Sequence, residues 1–397
     1  MTGVVALGTY EPAWEQGGRR VIGPDEDATT LAVAAALADL SAEPAADVRR
    51  VVVITKRPDV LEGATPAVIA VGLGLGDDLP VELRVGGAPD SVDALLSAGP
   101  GTLVVGVDTT AGAGSAAALI GAAGAEVADG GRAEGALPIR VQRVGASDLQ
   151  TYDDARLERD RGWRPVLERL GVDGAVVVGV PPRHAERLGA GPAVQQEGAA
   201  APLFALAAMA EAGRDGRVIA LDSARGAAVD VTGASSLSPS RSELPPVPLS
   251  AAPQPPRHPA EIPLSLPAYD RAFGAKVGLV GARCSCGEVS FPPRVVCLSC
   301  GREDETTPEA LPRTGEVYTA VTVHAPVPGM PGPYGLTIIQ LDGLPLRVLA
   351  HLTDCAGSQV QIGTRGRLVL RRVAVREGVS DYGYGFQPEP VASEAAA

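Results

Sequence analysis

Four of the chain's five cysteines, Cys284, Cys286, Cys297 and Cys300, fall in the stretch RCSCGEVSFPPRVVCLSCG, residues 283–301. One residue separates the first pair, two separate the second, and ten lie between the pairs. Two tight turns at that separation can bring four thiolates to the corners of a tetrahedron, the geometry zinc accepts. Four protein sulfurs leave no position for water or substrate, so such a site is structural. Its binding energy is folding energy, on the order of 10 kcal/mol in small zinc modules. The alternative is four thiols, free or joined as disulfides. A reducing cytosol favours metal over disulfides, and a chain of 397 residues can bury cores without disulfide staples.

Other reactive side chains are sparse. Cys355 stands alone, with only His351 near it in sequence, and reads as a small half-buried residue at a strand end. No Gly-x-Ser-x-Gly elbow occurs. The glycines of GAGSAAALIG lack the spacing and the following acid of a dinucleotide loop. His258 lies in a proline-rich stretch, where it reads as solvated. His324 and His351 fall on expected strands, where they read as packed or hydrogen-bonded.

A net charge of −13 and a pI near 4.9 oppose a polyanionic partner, since nucleic-acid affinity comes mainly from Lys and Arg neutralising phosphates. The N-terminus shows no basic leader before an apolar core, and no run of eighteen apolar residues occurs, so the expectation is a cytoplasmic chain with no membrane partner.

The elements that must position these groups divide at one place. Residues 234–267 hold ten prolines and almost no apolar periodicity, which predicts an extended linker or surface strap. Before it, VRRVVVIT, GTLVVGVD, GAVVVGVP and GRVIALDS read as short buried strands. DEDATTLAVAAALADL, SVDALLSAG and APLFALAAMAEAG read as helices, the first with acidic residues at the positive end of its dipole. Alternation of the two predicts a layered α/β domain over residues 1–233. After the linker, GEVYTAVTVH, GLTIIQLD, LRVLAHLT and RGRLVLRRVAV predict a small β-barrel.

VVALGTYEPAW, DEDATTLAVAAALADL, VVVIT and AVIAVGLGLG follow the order seen in hydroxymethylglutaryl-CoA synthase-like members of the thiolase superfamily, and GRVIALDSARGAAVDVTG resembles that fold's closing hairpin. The resemblance implies an acyl-thioester cysteine at a helix N-terminus before a glycine pair, but Arg84 stands at the corresponding position of ELRVGGAPDS. The implied histidine falls near Gly179, with His184 five residues on, and the implied acid before GAGSAAALIG is deleted. A degenerate domain with no catalytic residues follows.

CSCGEVSFPPRVVCLSCG, TGEVYTAVTVHAPVPGMPGPYGLTIIQLDG, IGTRGRLVLRR and YGYGFQP resemble the family called domain of unknown function 35, which joins a rubredoxin-like zinc ribbon to an OB-fold. The resemblance implies a ribbon with a leading helix over 268–310 and an OB-fold and tail over 311–397. It also implies association with thiolases and hydroxymethylglutaryl-CoA synthases. The family has two residues between its first cysteines where this chain has one. The basic run RGRLVLRRV offers arginines for CoA phosphates.

Together the two resemblances imply a non-catalytic accessory subunit of an acyl-CoA complex. Its thiolase-like half would pair with an active thiolase-type enzyme, and its zinc ribbon and OB-fold would help bind acyl-CoA. The alternatives are a self-sufficient acyltransferase or condensing enzyme with an unconventional site, and a scaffold with no enzyme partner.

Overall fold

The computed structural model describes residues 3–42, 47–58, 65–110, 112–137, 140–142, 149–151, 154–181, 188, 194–254, 263–303, 305–326, 330–356 and 360–390. Two compact units emerge. The first comprises Met1–Glu11, Ala34–Leu61 and Leu79–Ser242, and the second Pro12–Val33, Glu62–Asp78 and Glu243–Ala397.

The first unit is built on one twisted sheet. Its strands are β1 (Gly3–Glu11), β2 (Arg50–Thr55), β3 (Val81–Val85), β4 (Thr102–Asp108), β5 (Gly114–Gly121), β6 (Ala125–Glu134), β7 (Val176–Val178), β8 (Gly216–Asp222) and β9 (Arg225–Thr232). Their order is β7-β8-β9-β6-β1-β5-β4-β2-β3, and Ser240–Glu243 pairs with β1 as a tenth strand. β2 runs parallel to both β3 and β4, and β7 parallel to β8. Parallel neighbours need crossovers, and helix α2 (Ala88–Ser97) supplies the one between β3 and β4. Helix α1 (Ala28–Ala42) and helix α3 (Ala201–Glu211) are alanine-rich, which lets helix and strand backbones approach closely. Leu203, Phe204 and Leu206 of α3 share a core with Leu7 of β1, Val104 of β4 and Val218 of β8. The layered α/β arrangement expected from the alternating runs is present. β6 was not anticipated: AEVADGGRAE is polar and glycine-containing, and it is held as a strand by β9 along its length and by β1 at its start.

In the second unit, helix α4 (Leu266–Gly278) leads into a three-stranded ribbon of β10 (Val280–Cys284), β11 (Val289–Ser290) and β12 (Thr306–Ala310), with β10 in the middle. A closed barrel follows, made of β13 (Thr314–Val323), β14 (Tyr334–Leu341), β15 (Arg347–Leu352), β16 (Arg365–Arg376) and β17 (Val379–Pro388). Its order, β13-β14-β15-β17-β16 with β15 parallel to β17, is the connectivity of an OB-fold. Alternate residues point inward, so Val317, Ile339, Val348, Leu368, Leu370 and Phe386 fill the barrel. His351 lies on β15 as expected, while β13 ends at Val323 and leaves His324 just past it.

The proline-rich stretch is structured at its described start. Ser240–Glu243 joins the sheet, and Val247–Pro248 runs parallel to Trp14–Gln16. Residues 255–262, with His258, lie outside the described residues, as does His184.

Candidate functional site

The four ribbon cysteines converge. Cys284 ends β10, its amide bonded to the Glu288 carbonyl at 2.8 Å, and the Gly287 amide returns to the Cys284 carbonyl at 2.8 Å. On the other side the Gly301 amide closes onto the Cys297 carbonyl at 2.9 Å. Ser285, the single residue inside the short pair, is tied down by its amide on the Glu305 carbonyl and its hydroxyl on the Glu305 carboxylate at 2.6 Å. One residue is therefore enough for a closed turn. All four sulfurs lie within 4.8 Å of one another, with Cys284 to Cys300 and Cys286 to Cys297 each at 3.7 Å. A tetrahedron with metal–sulfur bonds of about 2.3 Å has edges of about 3.8 Å. Two edges match that length and the sulfurs lie no more than 4.8 Å apart, so the donor set fits a tetrahedral thiolate-bound metal such as zinc.

Arg84 is not where a helix-activated nucleophile would stand. It lies within β3, paired in register with Ile54, and its guanidinium is engaged by Glu82 of the same strand. Helix α2 begins four residues later, at Ala88, with Gly87 as its N-cap. Dipole activation of a thiol needs that helix end, so the glycine pair itself, and not Arg84 two residues before it, stands at that end. A Cβ on Gly87 would sit 2.3 Å from Asp222 Oδ2 and 2.7 Å from Lys56 Cε. Lys56 Nζ donates to Asp222 Oδ1 at 2.9 Å, so an ion pair fills the volume a catalytic side chain would need.

Gly179 is equally closed: its φ is +84°, and a Cβ there would meet the Leu221 carbonyl oxygen at 1.9 Å. Asp108, at the end of β4, accepts the amides of Gly198, Ala199 and Ala200 at 3.1, 2.9 and 3.2 Å and so caps the start of α3. Burial pushes its carboxyl up to about 6, against the pull of Lys56 and those amides.

The acidic run before α1 has a second role besides the one its position suggests. Asp27 caps the helix, its Oδ1 accepting the Thr30 amide at 2.9 Å while Thr30 Oγ1 accepts the Asp27 amide at 2.9 Å. Within the same unit, Glu26 lies 3.4 Å from Arg371 Nη2, Asp25 lies 3.9 Å from Arg371 Nε, and Asp27 lies 3.8 Å from Arg372 Nη1. Arg371 is 1% exposed and also grips Asp354. The remaining arginines of the run are engaged as well, Arg365 by Asp342 and Arg367 by Gln387. Arg371 and Arg372 are thus counter-charges to the acidic run, whereas Arg365 and Arg367 are exposed and pair locally. Nothing local in RGRLVLRRV signals the first pairing, because Glu26 and Asp27 lie some 345 residues upstream.

Among the described residues no helix is long and apolar enough to cross a membrane. The family described as the C-terminal OB-fold domain of ChsH2 matches residues 308–371. A DUF35 domain-containing scaffold protein of Methanocaldococcus jannaschii is 36% identical over 115 residues, which is 28% of this chain and 81% of the relative. Among solved structures, the Ltp2-ChsH2(DUF35) aldolase aligns with 24% identity over 30% of this chain and 90% of that chain, at a TM-score of 0.26. A hydroxymethylglutaryl-CoA synthase complexed with CoA aligns with 14% identity over 60% of this chain and 84% of that chain, at a TM-score of 0.45. Through its C-terminal ribbon and barrel, the chain belongs to the DUF35 domain-containing scaffold protein family.

Proposed function

We propose that this chain is a non-catalytic accessory subunit of a thiolase or hydroxymethylglutaryl-CoA synthase-type acyl-CoA complex. Its thiolase-like unit pairs with an active enzyme, and its ribbon and barrel help gather the acyl-CoA. The observation that carries the reading is the start of α2, where Gly87 stands against Asp222 and Lys56 and leaves no room for a nucleophile. Membership of a scaffold family supports the accessory role.

Purification from the native host, with mass spectrometry of what stays bound and an acyl-CoA thiolysis and condensation assay, tests it. A co-purifying thiolase-type enzyme whose removal abolishes turnover supports the reading. Turnover by the chain alone supports a self-sufficient enzyme instead, and would direct attention to Lys56, Asp108 and Asp222 around that helix start. Neither Arg84→Cys nor Gly87→Cys is expected to confer thiolysis on the isolated chain. The first places a thiol on a strand, and the second drives one into the Lys56–Asp222 pair. Measurable thiolysis by either would overturn the assignment of the site.

In the ribbon the four thiolates hold zinc, with close to one ion per chain by elemental analysis. Chelation should release the ion and make the four ribbon thiols reactive while the half-buried Cys355 changes little. Negligible zinc together with four thiols already reactive in the untreated protein would refute the metal centre.

A further inference from the structure

The second unit contains a cavity of about 80 Å³ whose walls are largely apolar and aromatic, among them Trp14, Pro253, Met330, Tyr334 and His351. The His351 and Tyr334 rings lie together, 4.9 Å between centroids and 33° apart in plane. Burial pushes the His351 imidazole below its usual range, so this wall is uncharged at neutral pH. The lining also includes Asp25, Asp354, Arg371 and Arg372. Both guanidinium groups are already engaged by carboxylates, Arg371 by Asp354 and Glu26 and Arg372 by Asp27. Four acidic side chains, Asp25, Glu26, Asp27 and Asp354, therefore surround two guanidinium groups, and burial pushes the Asp25 carboxyl above the usual carboxylate range, a shift that a cation beside it would reverse.

One further feature leaves room for an occupant. Asp25 gives one oxygen to the Thr353 hydroxyl at 2.7 Å, yet 30% of its side chain stays accessible in a residue that lines the cavity. Trp14 Nε1 and Asp354 Oδ1, which have no hydrogen-bond partner among the described residues, have almost no accessible surface and lie behind the cavity wall. An anion is disfavoured by the surplus of carboxylates, and a purely apolar guest would leave the open Asp25 carboxylate desolvated.

We propose that this cavity binds a small organic cation, an alkylammonium whose charged end meets Asp25 and whose alkyl part packs against the Trp14 and Tyr334 walls. Aromatic faces beside a carboxylate suit such a group, which gains from both ring electrostatics and ion pairing. The inference is independent of the accessory role, since it concerns a different ligand and a site within the second unit alone.

The full chain contains only two tryptophans, Trp14 and Trp163, so the Trp14 indole N–H is readily assigned in a ¹H–¹⁵N spectrum, with Trp163→Phe as the control. Titration with n-butylammonium, n-butanol and butyrate at constant ionic strength decides the matter. Butylammonium should move the Trp14 resonance saturably, butanol should bind at least tenfold more weakly, and butyrate should leave it unmoved. Asp25→Asn should weaken butylammonium binding tenfold or more. Equal response to butanol, or no saturable shift with butylammonium up to about 100 mM, the range of affinities weaker than about −1.4 kcal/mol, would overturn the proposal. If Asp25→Asn fails to fold, the comparison of the three solutes on the native chain still decides it.

Discussion

Arg371→Met should unfold the barrel at much lower denaturant concentration, with a loss of about 3–5 kcal/mol, the usual consequence of removing one partner from a buried ionic cluster. The native arginine is almost wholly buried between Glu26, Asp354 and the Thr353 hydroxyl. Methionine fills a similar volume but leaves two buried carboxylates facing each other. Trp14 belongs to the second unit and Trp163 to the first, so fluorescence of the Trp163→Phe background reports the affected unit. A loss under 1 kcal/mol would refute the counter-charge role.

Asp39 should show the opposite behaviour, with its replacement stabilising the chain. Its side chain is fully buried on α1, neither carboxylate oxygen has a partner among the described residues, and burial pushes its carboxyl up to about 8. In the unfolded chain the same group titrates near 3.9. Between these values the native state holds a proton that the unfolded state has released, so stability falls as pH rises from about 4 to 8 and levels off above. Asp39→Asn should flatten that slope and add about 2–4 kcal/mol at pH 8, with little change at pH 4. Urea titrations of the first unit at both pH values measure it. A wild-type stability that rises across this window would show that Asp39 finds a counter-charge in solution.

How far the sequence could be read depended on the range of each interaction. The ribbon was legible because its ligands lie within seventeen residues and their spacing is itself the signal. The barrel strands were legible because alternation reports a half-buried surface, as in Tyr334–Leu341, where every second residue is buried. β6 escaped notice because its strand character comes from its neighbours and not from its own residues. Resemblance places Arg84 ahead of the glycine pair, and the helix start that dipole activation of a thiol needs falls at Ala88, four residues on, because a glycine pair fixes no register by itself. The acidic run before α1 was correctly placed at a helix entrance, but its pairing with Arg371 and Arg372 joins the two ends of the chain, and no local pattern encodes that.

The membership of Pro12–Val33 in the second unit bears on how this gene can be cut. A split at the proline-rich stretch, the natural place to separate two modules by sequence, would leave the barrel on one polypeptide and Asp25, Glu26 and Asp27 on the other. A fragment beginning there would carry Arg371 with only Asp354 of its carboxylate partners and would lose the Trp14 wall. Dissection into working halves therefore calls for a permuted design, in which residues 12–33 and 62–78 are both grafted onto the C-terminal fragment.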